Sequence, residues 1–266
     1  MKLLGKPIRI KIIEEIQHRM EKGERIEPYI IYNSQSFEAD EYRKLVVRTL
    51  NKLGIESKIF DVKNEKEAKS AIAEANLNPI GSIFLCRPLL VENENKLFDL
   101  IDPSKDADML TTHNLGRLVE GDLTFLSGTA RSVMKIIDYY NIEVANKRVL
   151  VVGRSISVGR PIALMMIKRN SFVSVSHSKI DIDQTRLMAE NSDIVIMATG
   201  VRDILTPRQI KLNQVIIDCG YCEDGKGDLG FIPDCKAYTP VPGGVGPATI
   251  ACIIENAFNL IKYHKK

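Results

Sequence analysis

Apolar residues in the first third of the chain alternate between helical and strand spacing. Between positions 8 and 20 they recur at helical spacing, which predicts a helix, and the apolar run at 29–32 predicts a strand. The same alternation predicts helices at 40–53 and 65–75 and strands at 57–62 and 82–86. Helices that alternate with strands are typical of parallel sheets with crossover helices.

A second alternating region begins near residue 145 and is more sharply marked. Its first strand, at 149–152, is an apolar run typical of a buried parallel strand. Further strands are predicted at 172–175, 194–198 and 215–218, with helices at 157–168 and up to residue 191. We therefore expect an α/β fold of two domains, 1–130 and 131–246, with the boundary near 128–132. A last helix, within 247–266, is expected to pack back on the first domain.

Two glycines frame the turn between the strand at 149–152 and the following helix. Gly153 ends the strand and Gly159 opens the helix, in the segment VLVVGRSISVGRP. Glycine lets the backbone turn sharply and approach a ligand, and the N–H groups at a helix N-terminus favour a phosphate. Because the spacing differs from G-x-G-x-x-G, an ordinary strand-turn-helix connection is the alternative to a dinucleotide site.

The residues after the next strand indicate which dinucleotide would bind. An NAD site usually has an acidic residue about 20 residues after the first glycine, but no Asp or Glu lies between Gly153 and Ile180. Arg154, His177 and Ser178 offer cationic and hydroxyl groups instead. A guanidinium binds phosphate through paired, charge-assisted hydrogen bonds. The sequence therefore predicts NADP, and the alternative for Arg154 is an ordinary surface arginine.

Composition and charge argue against several classes of function. The 266 residues are 44% apolar and 27% charged, as in soluble globular proteins, and a net charge of +3 is too small to favour nucleic acid as a partner. No apolar stretch reaches the about 20 residues of a membrane span, so we expect no membrane association and a cytoplasmic protein. Five cysteines, an odd number, argue against a disulfide framework. Cys219, Cys222 and Cys235 lack a fourth ligand, which favours free thiols over a metal site.

Several motifs together resemble one enzyme family, over nearly the whole chain. They are Gly153-Arg154-Ser155, Val158-Gly159-Arg160-Pro161, Lys105-Asp106-Ala107-Asp108, His177-Ser178-Lys179 and the segment PVPGGVGP at 240–247. The chain resembles the methylenetetrahydrofolate dehydrogenase/cyclohydrolase (FolD) family. This resemblance implies a folate-binding catalytic domain, a Rossmann-type NADP-binding domain and a homodimer formed through the latter. It also implies oxidation of 5,10-methylenetetrahydrofolate with NADP and hydrolysis of the methenyl product to 10-formyltetrahydrofolate.

The resemblance also implies roles for individual residues. Tyr42 resembles the tyrosine that stacks on the folate rings and Asp108 the aspartate that hydrogen-bonds the pterin, and both are the expected catalytic residues. Pro242, Gly243 and Gly244 would form a loop against the folate. The residues expected to bind NADP are Gly153, Arg154, Ser155, Val158, Gly159, His177, Ser178, Thr199 and Gly200. Without the resemblance, Tyr42 is typical of a helix surface and Asp108 of a turn.

Two polar positions of the family's folate site are replaced in this chain. The family has Tyr-x-x-x-Lys, which puts both side chains on one helix face, but the fourth position after Tyr42 is Val46. The glutamine of the family's V-Q-L-P-L-P stretch corresponds to Cys86, and the next residue, Arg87, stays protonated and cannot act as a base. Hydride transfer depends mainly on positioning, whereas hydrolysis needs an acid/base group. We therefore expect the dehydrogenase activity to be kept and the cyclohydrolase activity to be weak or to use a different relay.

Three functions follow from these residues. The first is a bifunctional NADP-linked dehydrogenase/cyclohydrolase, and the second is a dehydrogenase alone. The third is a ligand-binding or regulatory protein that keeps both sites without turnover. The cofactor segments and Asp108 match the family, which argues against the third function.

Overall fold

Two units, each built around a parallel sheet, make up the structure. It is a computed structural model that describes residues 1–122, 124–222 and 225–263. Contacts group Met1–Lys11 with Ser127–Thr249, and Ile12–Leu126 with Ile250–Lys266. We call the first group the five-stranded unit and the second the three-stranded unit, after their sheets.

The three-stranded sheet has the order β2-β1-β3, and its strands are parallel. The strands are β1 (Glu27–Tyr32), β2 (Lys58–Asp61) and β3 (Gly81–Leu85). The helices are α1 (Lys6–Glu21, which begins in the other unit), α2 (Phe37–Lys52), α3 (Glu65–Leu77), α4 (Glu94–Phe98) and α5 (Thr112–Val119). β3 is buried along its whole length, as expected for a strand covered on both faces. Ile31 pairs with Leu85, so the loops after β1 and β3 leave the same edge of the sheet.

The five-stranded sheet is also parallel and has the order β5-β4-β6-β7-β8. Its strands are β4 (Arg148–Val152), β5 (Phe172–Ser176), β6 (Ile194–Met197), β7 (Val215–Asp218) and β8 (Ala237–Tyr238). The helices are α6 (Gly128–Tyr139), α7 (Gly159–Lys168) and α8 (Ile182–Glu190). Leu150, Val195 and Ile216, on three adjacent strands, are completely buried in one core cluster. Because β4 lies between β5 and β6, the strand order reverses beside it, which is where such folds bind ligands.

The predicted α/β class is confirmed, and the predicted helices and strands are present with small shifts. α2 begins at Phe37 rather than at position 40, because the Ser36 hydroxyl caps it by accepting the N–H of Ala39 at 3.1 Å. α4, α5, α6 and β8 were not predicted from the sequence. The first turn of α6 covers the residues at which we expected a domain boundary.

The last helix, α9 (Gly246–Leu260), begins in the five-stranded unit and continues in the three-stranded unit. In the latter, the buried Asn256 amide donates hydrogen bonds to the carbonyl groups of Ala107 (3.0 Å) and Leu126 (2.8 Å). The helix therefore returns to the N-terminal half of the chain, as predicted. Over the described ranges, no helix combines the length and the apolar character that crossing a membrane requires.

Candidate active site

Gly153 and Gly159 bring α7 close to the end of β4. Gly153 has a φ of +123°, a conformation that residues with side chains rarely adopt. A Cβ at Gly153 would collide with the carbonyl group of Ala198, and a Cβ at Gly159 would collide with the carbonyl group of Gly153. Both positions therefore require glycine, at the switch point of the five-stranded sheet.

Ser155 occupies the N–H groups at the start of α7. Its hydroxyl accepts the N–H of Val158 at 3.2 Å and that of Gly159 at 3.3 Å, and its carbonyl accepts the N–H of Arg160 at 3.1 Å. The predicted cofactor residues Ser155, Val158 and Gly159 are therefore brought together. A phosphate that used the N–H of Gly159 would first have to displace the Ser155 hydroxyl.

Among the residues that the structure describes, none at the end of β5 offers a carboxylate to a ribose. Ser176 is buried, with its hydroxyl 2.5 Å from that of Thr185. The ring of His177 accepts the N–H of Lys179 through Nδ1 at 3.2 Å, which forms a tight turn. The next acidic residue, Asp181, caps α8 by accepting the N–H of Asp183 at 2.9 Å. The donors around this strand end therefore fit the 2′-phosphate of NADP better than the 2′-hydroxyl of NAD.

Thr199 and Gly200 follow β6 at the carboxyl edge of the same sheet. The hydroxyl and the N–H of Thr199 both donate to Oδ2 of Asp228, at 2.7 and 2.8 Å. Asp228 in turn donates its N–H to Oδ1 of Asp218, at the end of β7, at 3.1 Å. No sequence pattern had indicated a role for Asp228 and Asp218, which are 0% and 4% exposed.

The loop at 240–247 has the tight backbone that its glycines and prolines suggest. Gly243 has a φ of +114°, and its carbonyl accepts the N–H of Gly5 at 3.0 Å. A Cβ at Gly244 would meet the carbonyl oxygen of Pro240 at 2.6 Å. Pro242 is exposed at the tip of the turn. The loop can thus present its backbone to a ligand at close range.

The second predicted site lies in the three-stranded unit, at the carboxyl end of β3. The Asp108 carboxylate accepts the N–H of Leu85 through Oδ2 at 2.8 Å. Burial raises the pKa of Asp108 to about 7; the bond from Leu85 opposes this rise and the charge of Asp106 adds to it. Burial also raises the pKa of the half-buried Tyr42 hydroxyl, and the charge of Asp108 raises it further. Tyr42 and Asp108, predicted from different motifs, are therefore neighbours.

The two replaced family positions adjoin this pair. Val46 and Cys86 are both 0% exposed. Burial raises the pKa of the Cys86 thiol, and the charge of Asp108 adds to that rise. The thiol is therefore neutral at physiological pH. Neither position can supply the titratable ammonium or the amide that the family pattern contains.

Two arginines border the same site. The Arg43 guanidinium donates to Asp40 at 2.7 Å and lies 4.8 Å from the ring centroid of Tyr32, and its charge lowers the pKa of Cys86. The Arg87 guanidinium lies 3.9 Å from the Glu94 carboxylate, and its charge lowers the pKa of Asp108. These two guanidinium groups bring positive charge to the site, but neither of them can lose a proton and act as a base. Arg43 could not be predicted from the sequence, because its place beside Cys86 depends on the pairing of β1 with β3.

The structure describes no cluster of three or more His, Cys, Asp or Glu side chains suited to a metal ion within 1–122, 124–222 and 225–263. All five cysteines are free thiols.

A glycine turn at the switch point of one sheet and a tyrosine–carboxylate site at the end of another define a two-unit α/β enzyme that uses a dinucleotide. The chain belongs to the tetrahydrofolate dehydrogenase/cyclohydrolase family, because the model of that family's NAD(P)-binding domain matches residues 127–265. Similarity beyond that domain supports the assignment. The "Bifunctional protein FolD" of Thermodesulfovibrio yellowstonii is 34% identical over 279 aligned positions, which cover 98% of this chain and 96% of the relative.

Solved structures of the family have the same fold as this chain. The bifunctional FolD methylenetetrahydrofolate dehydrogenase/cyclohydrolase of Campylobacter jejuni superimposes with a TM-score of 0.90 at 29% identity, covering 99% of each chain. The Trypanosoma brucei FolD, complexed with NADP cofactor and inhibitor, gives a TM-score of 0.89 at 25% identity, covering 100% of this chain and 98% of that one.

Proposed function

We propose that this protein oxidises 5,10-methylenetetrahydrofolate to the methenyl form with NADP and hydrolyses that product to 10-formyltetrahydrofolate. The observation that carries the proposal is the pairing of Tyr42 with Asp108 at the end of β3 in a chain whose other unit has the glycine turn of Gly153 and Gly159. The names of the relatives support both activities. Purified protein given methylenetetrahydrofolate and NADP should form NADPH, and a protein that forms none is a binding protein instead.

Two side chains of the three-stranded unit would hold the folate, and the family resemblance assigns a backbone loop of the five-stranded unit to it as well. The Tyr42 ring offers an aromatic face for stacking on the pterin. The Asp108 carboxylate, fixed by the N–H of Leu85, can accept paired N–H donors from the pterin edge. The loop Pro242-Gly243-Gly244 offers backbone without bulky side chains. These groups would bind and orient the substrate. Hydride transfer would then depend mainly on how the substrate is positioned relative to the nicotinamide.

NADP would be held by the residues around the glycine turn and the two later strand ends. These residues are Gly153, Arg154, Ser155, Val158, Gly159, His177, Ser178, Thr199 and Gly200. The exposed Arg154 guanidinium and the Ser178 hydroxyl suit a 2′-phosphate. When bound, the nicotinamide supplies a hydride acceptor.

A second candidate function is a dehydrogenase with little or no cyclohydrolase activity. Hydrolysis requires a placed group that moves protons, and the buried Val46 and Cys86 supply none. These two residues specifically favour the dehydrogenase function. Asp108, with a pKa of about 7, is the group near Tyr42 that changes its protonation near neutral pH. The decay of methenyltetrahydrofolate with and without the protein distinguishes the two functions.

We further propose a cytoplasmic homodimer formed through the five-stranded unit. Free thiols suit a reducing compartment. β5 is an edge strand, and its Phe172 side chain is 68% exposed. Light scattering on Phe172→Asp should then show monomers where the unmodified protein shows dimers. Leu212→Asp, at a position in the same unit that is 71% exposed, should leave the dimer intact.

A further inference from the structure

Asp218 and Asp228 form a buried carboxylate pair at the carboxyl edge of the five-stranded sheet. Oδ1 of Asp218 accepts the N–H of Gly220 at 2.9 Å and that of Asp228 at 3.1 Å, and its Oδ2 accepts the N–H of Leu229 at 3.1 Å. Burial raises the pKa of Asp218, and the charge of Asp228 adds to that rise. The two acidic groups therefore lie close enough to interact electrostatically.

The bonds of Asp228 reach the loop expected to contact the cofactor. Its Oδ2 accepts two hydrogen bonds from Thr199, and the Thr199 hydroxyl accepts the N–H of Val201 at 3.1 Å. The carboxylate therefore fixes the turn of Thr199 and Gly200 after β6. Among the described residues, the hydrogen-bond donors to this carboxylate pair are backbone N–H groups and a hydroxyl, so those bonds bring no positive charge to it.

Oδ1 of Asp228 is an exception to the rule that buried polar atoms are hydrogen-bonded. It is buried and has no hydrogen-bond partner among the described residues. The residue beside it is Gly220, where a Cβ would collide with this oxygen. A buried acidic oxygen that accepts no hydrogen bond costs free energy. We therefore expect Oδ1 of Asp228 to be stabilised by an electrostatic interaction and not by a hydrogen bond.

The place of the pair in the fold indicates which part of the cofactor it serves. In a doubly wound sheet the dinucleotide lies across the switch point, with one nucleotide half on each side. The glycine turn after β4 and the donors after β5 would hold the phosphates of one half. The nicotinamide half is then left to the ends of β6 and β7, where Thr199, Gly200 and the carboxylate pair lie. The oxidised nicotinamide ring carries a positive charge, which is lost when it gains a hydride.

We propose that the Asp218–Asp228 carboxylate pair makes the cofactor site prefer NADP⁺ over NADPH, by placing unneutralised negative charge at the nicotinamide end. The inference rests on the proposed function, since it assumes that NADP binds at this sheet. A site can distinguish NADP⁺ from NADPH only through an interaction that differs between the two forms. The attraction between a carboxylate and the positively charged ring of NADP⁺ is such an interaction. A purely structural carboxylate would affect both forms of the cofactor equally.

The dissociation constants of NADP⁺ and NADPH, measured by calorimetry on the purified full chain, test the proposal. Asp228→Asn keeps the size of the side chain and removes its charge. We expect the ratio of the NADPH constant to the NADP⁺ constant to fall about fivefold, as the loss of one partly screened charge would give. Thr199→Val is the matched control, because it removes a hydrogen bond to the pair and keeps both carboxylates. It should weaken both forms by the same factor.

Equal weakening of both forms by Asp228→Asn would overturn the proposal and leave the pair as a scaffold for the loop. If Asp228→Asn does not fold, as judged by its thermal melt, Asp218→Asn takes its place with the same expected shift and the same contradicting result. Failure of the unmodified chain to bind either form would overturn the proposed function as well. An unchanged ratio in a chain that binds both forms would overturn only this inference.

Discussion

The two sites of this enzyme differ in how far their polar residues follow the family pattern. In the five-stranded unit, Gly153 and Gly159 retain the close turn, and buried aspartates fix the loop after β6. In the three-stranded unit, Tyr42 and Asp108 are kept, but Val46 and Cys86 replace polar groups and are fully buried. The residues proposed to bind the cofactor and the folate are therefore present, while the lysine and the glutamine of the family's folate site are absent. One activity can thus change without loss of the other.

The largest expected effect comes from a substitution in the glycine turn of the five-stranded unit. Gly153→Ala places a Cβ against the carbonyl group of Ala198 at a φ of +123°, so NADP binding should weaken at least about 100-fold and the free energy of unfolding should fall by about 2–3 kcal/mol. Calorimetry with NADP and denaturant unfolding measure both. Gly116→Ala is the control, since a Cβ there meets nothing within 4 Å, and in helix α5 it should stabilise by about 0.5–1 kcal/mol. Unchanged NADP affinity in Gly153→Ala would refute the role of the turn.

Restoring the family's lysine and glutamine in the three-stranded unit should increase the cyclohydrolase activity. Val46→Lys combined with Cys86→Gln is expected to speed methenyltetrahydrofolate hydrolysis by about 30-fold, because a placed ammonium supplies the missing acid/base group. NADPH formation should change little. The control is Val47→Lys with Cys86→Gln, in which the lysine lies on another helix face. A folded double variant with no gain in hydrolysis would show that Val46 is not the cause of slow hydrolysis.

A comparison of NADP with NAD tests whether the five-stranded unit recognises the 2′-phosphate, which only NADP has. Arg154→Ala should weaken NADP by about 20-fold, the worth of one charge-assisted contact, and leave NAD nearly unchanged. Titrations with each dinucleotide measure the two affinities. Arg208→Ala, an exposed arginine in the same unit, should alter neither. Equal losses for NAD and NADP in Arg154→Ala would disprove a contact with the 2′-phosphate.

The smallest expected effect is a pH dependence in the three-stranded unit. Because the pKa of Asp108 is raised to about 7, the carboxyl group is largely neutral below that pH and ionised above it. If the ionised form binds the pterin, the KM for methylenetetrahydrofolate should fall by up to about tenfold as the pH rises from about 6 to about 8. Steady-state kinetics across this range measure it. Asp108→Asn should raise KM and abolish the pH dependence, and a KM that varies equally in the variant would point to another group.

The sequence predicted most of the fold because its apolar spacing is regular, and it predicted the glycine turn because Gly153 follows a clear strand. Tyr42 and Asp108 were found through motifs, since sixty-six positions separate them along the chain and only the fold makes them neighbours. Arg43 and Asp228 were missed for the same reason. Their roles depend on strand pairing and on buried hydrogen bonds that leave no local pattern. The hydrogen bond from Gly159 to Ser155 was also unpredictable, because it depends on the exact path of the turn.

The most direct test of this account follows both steps in one reaction. Methylenetetrahydrofolate and NADP are mixed with the unmodified protein, and NADPH and methenyltetrahydrofolate are recorded together over time. The account predicts that NADPH forms and that methenyltetrahydrofolate accumulates before it is converted slowly to 10-formyltetrahydrofolate, because the residues proposed to position the hydride transfer are present and the family's lysine is replaced by Val46. Absence of NADPH, or NADPH formation with hydrolysis fast enough to prevent any accumulation, would contradict it.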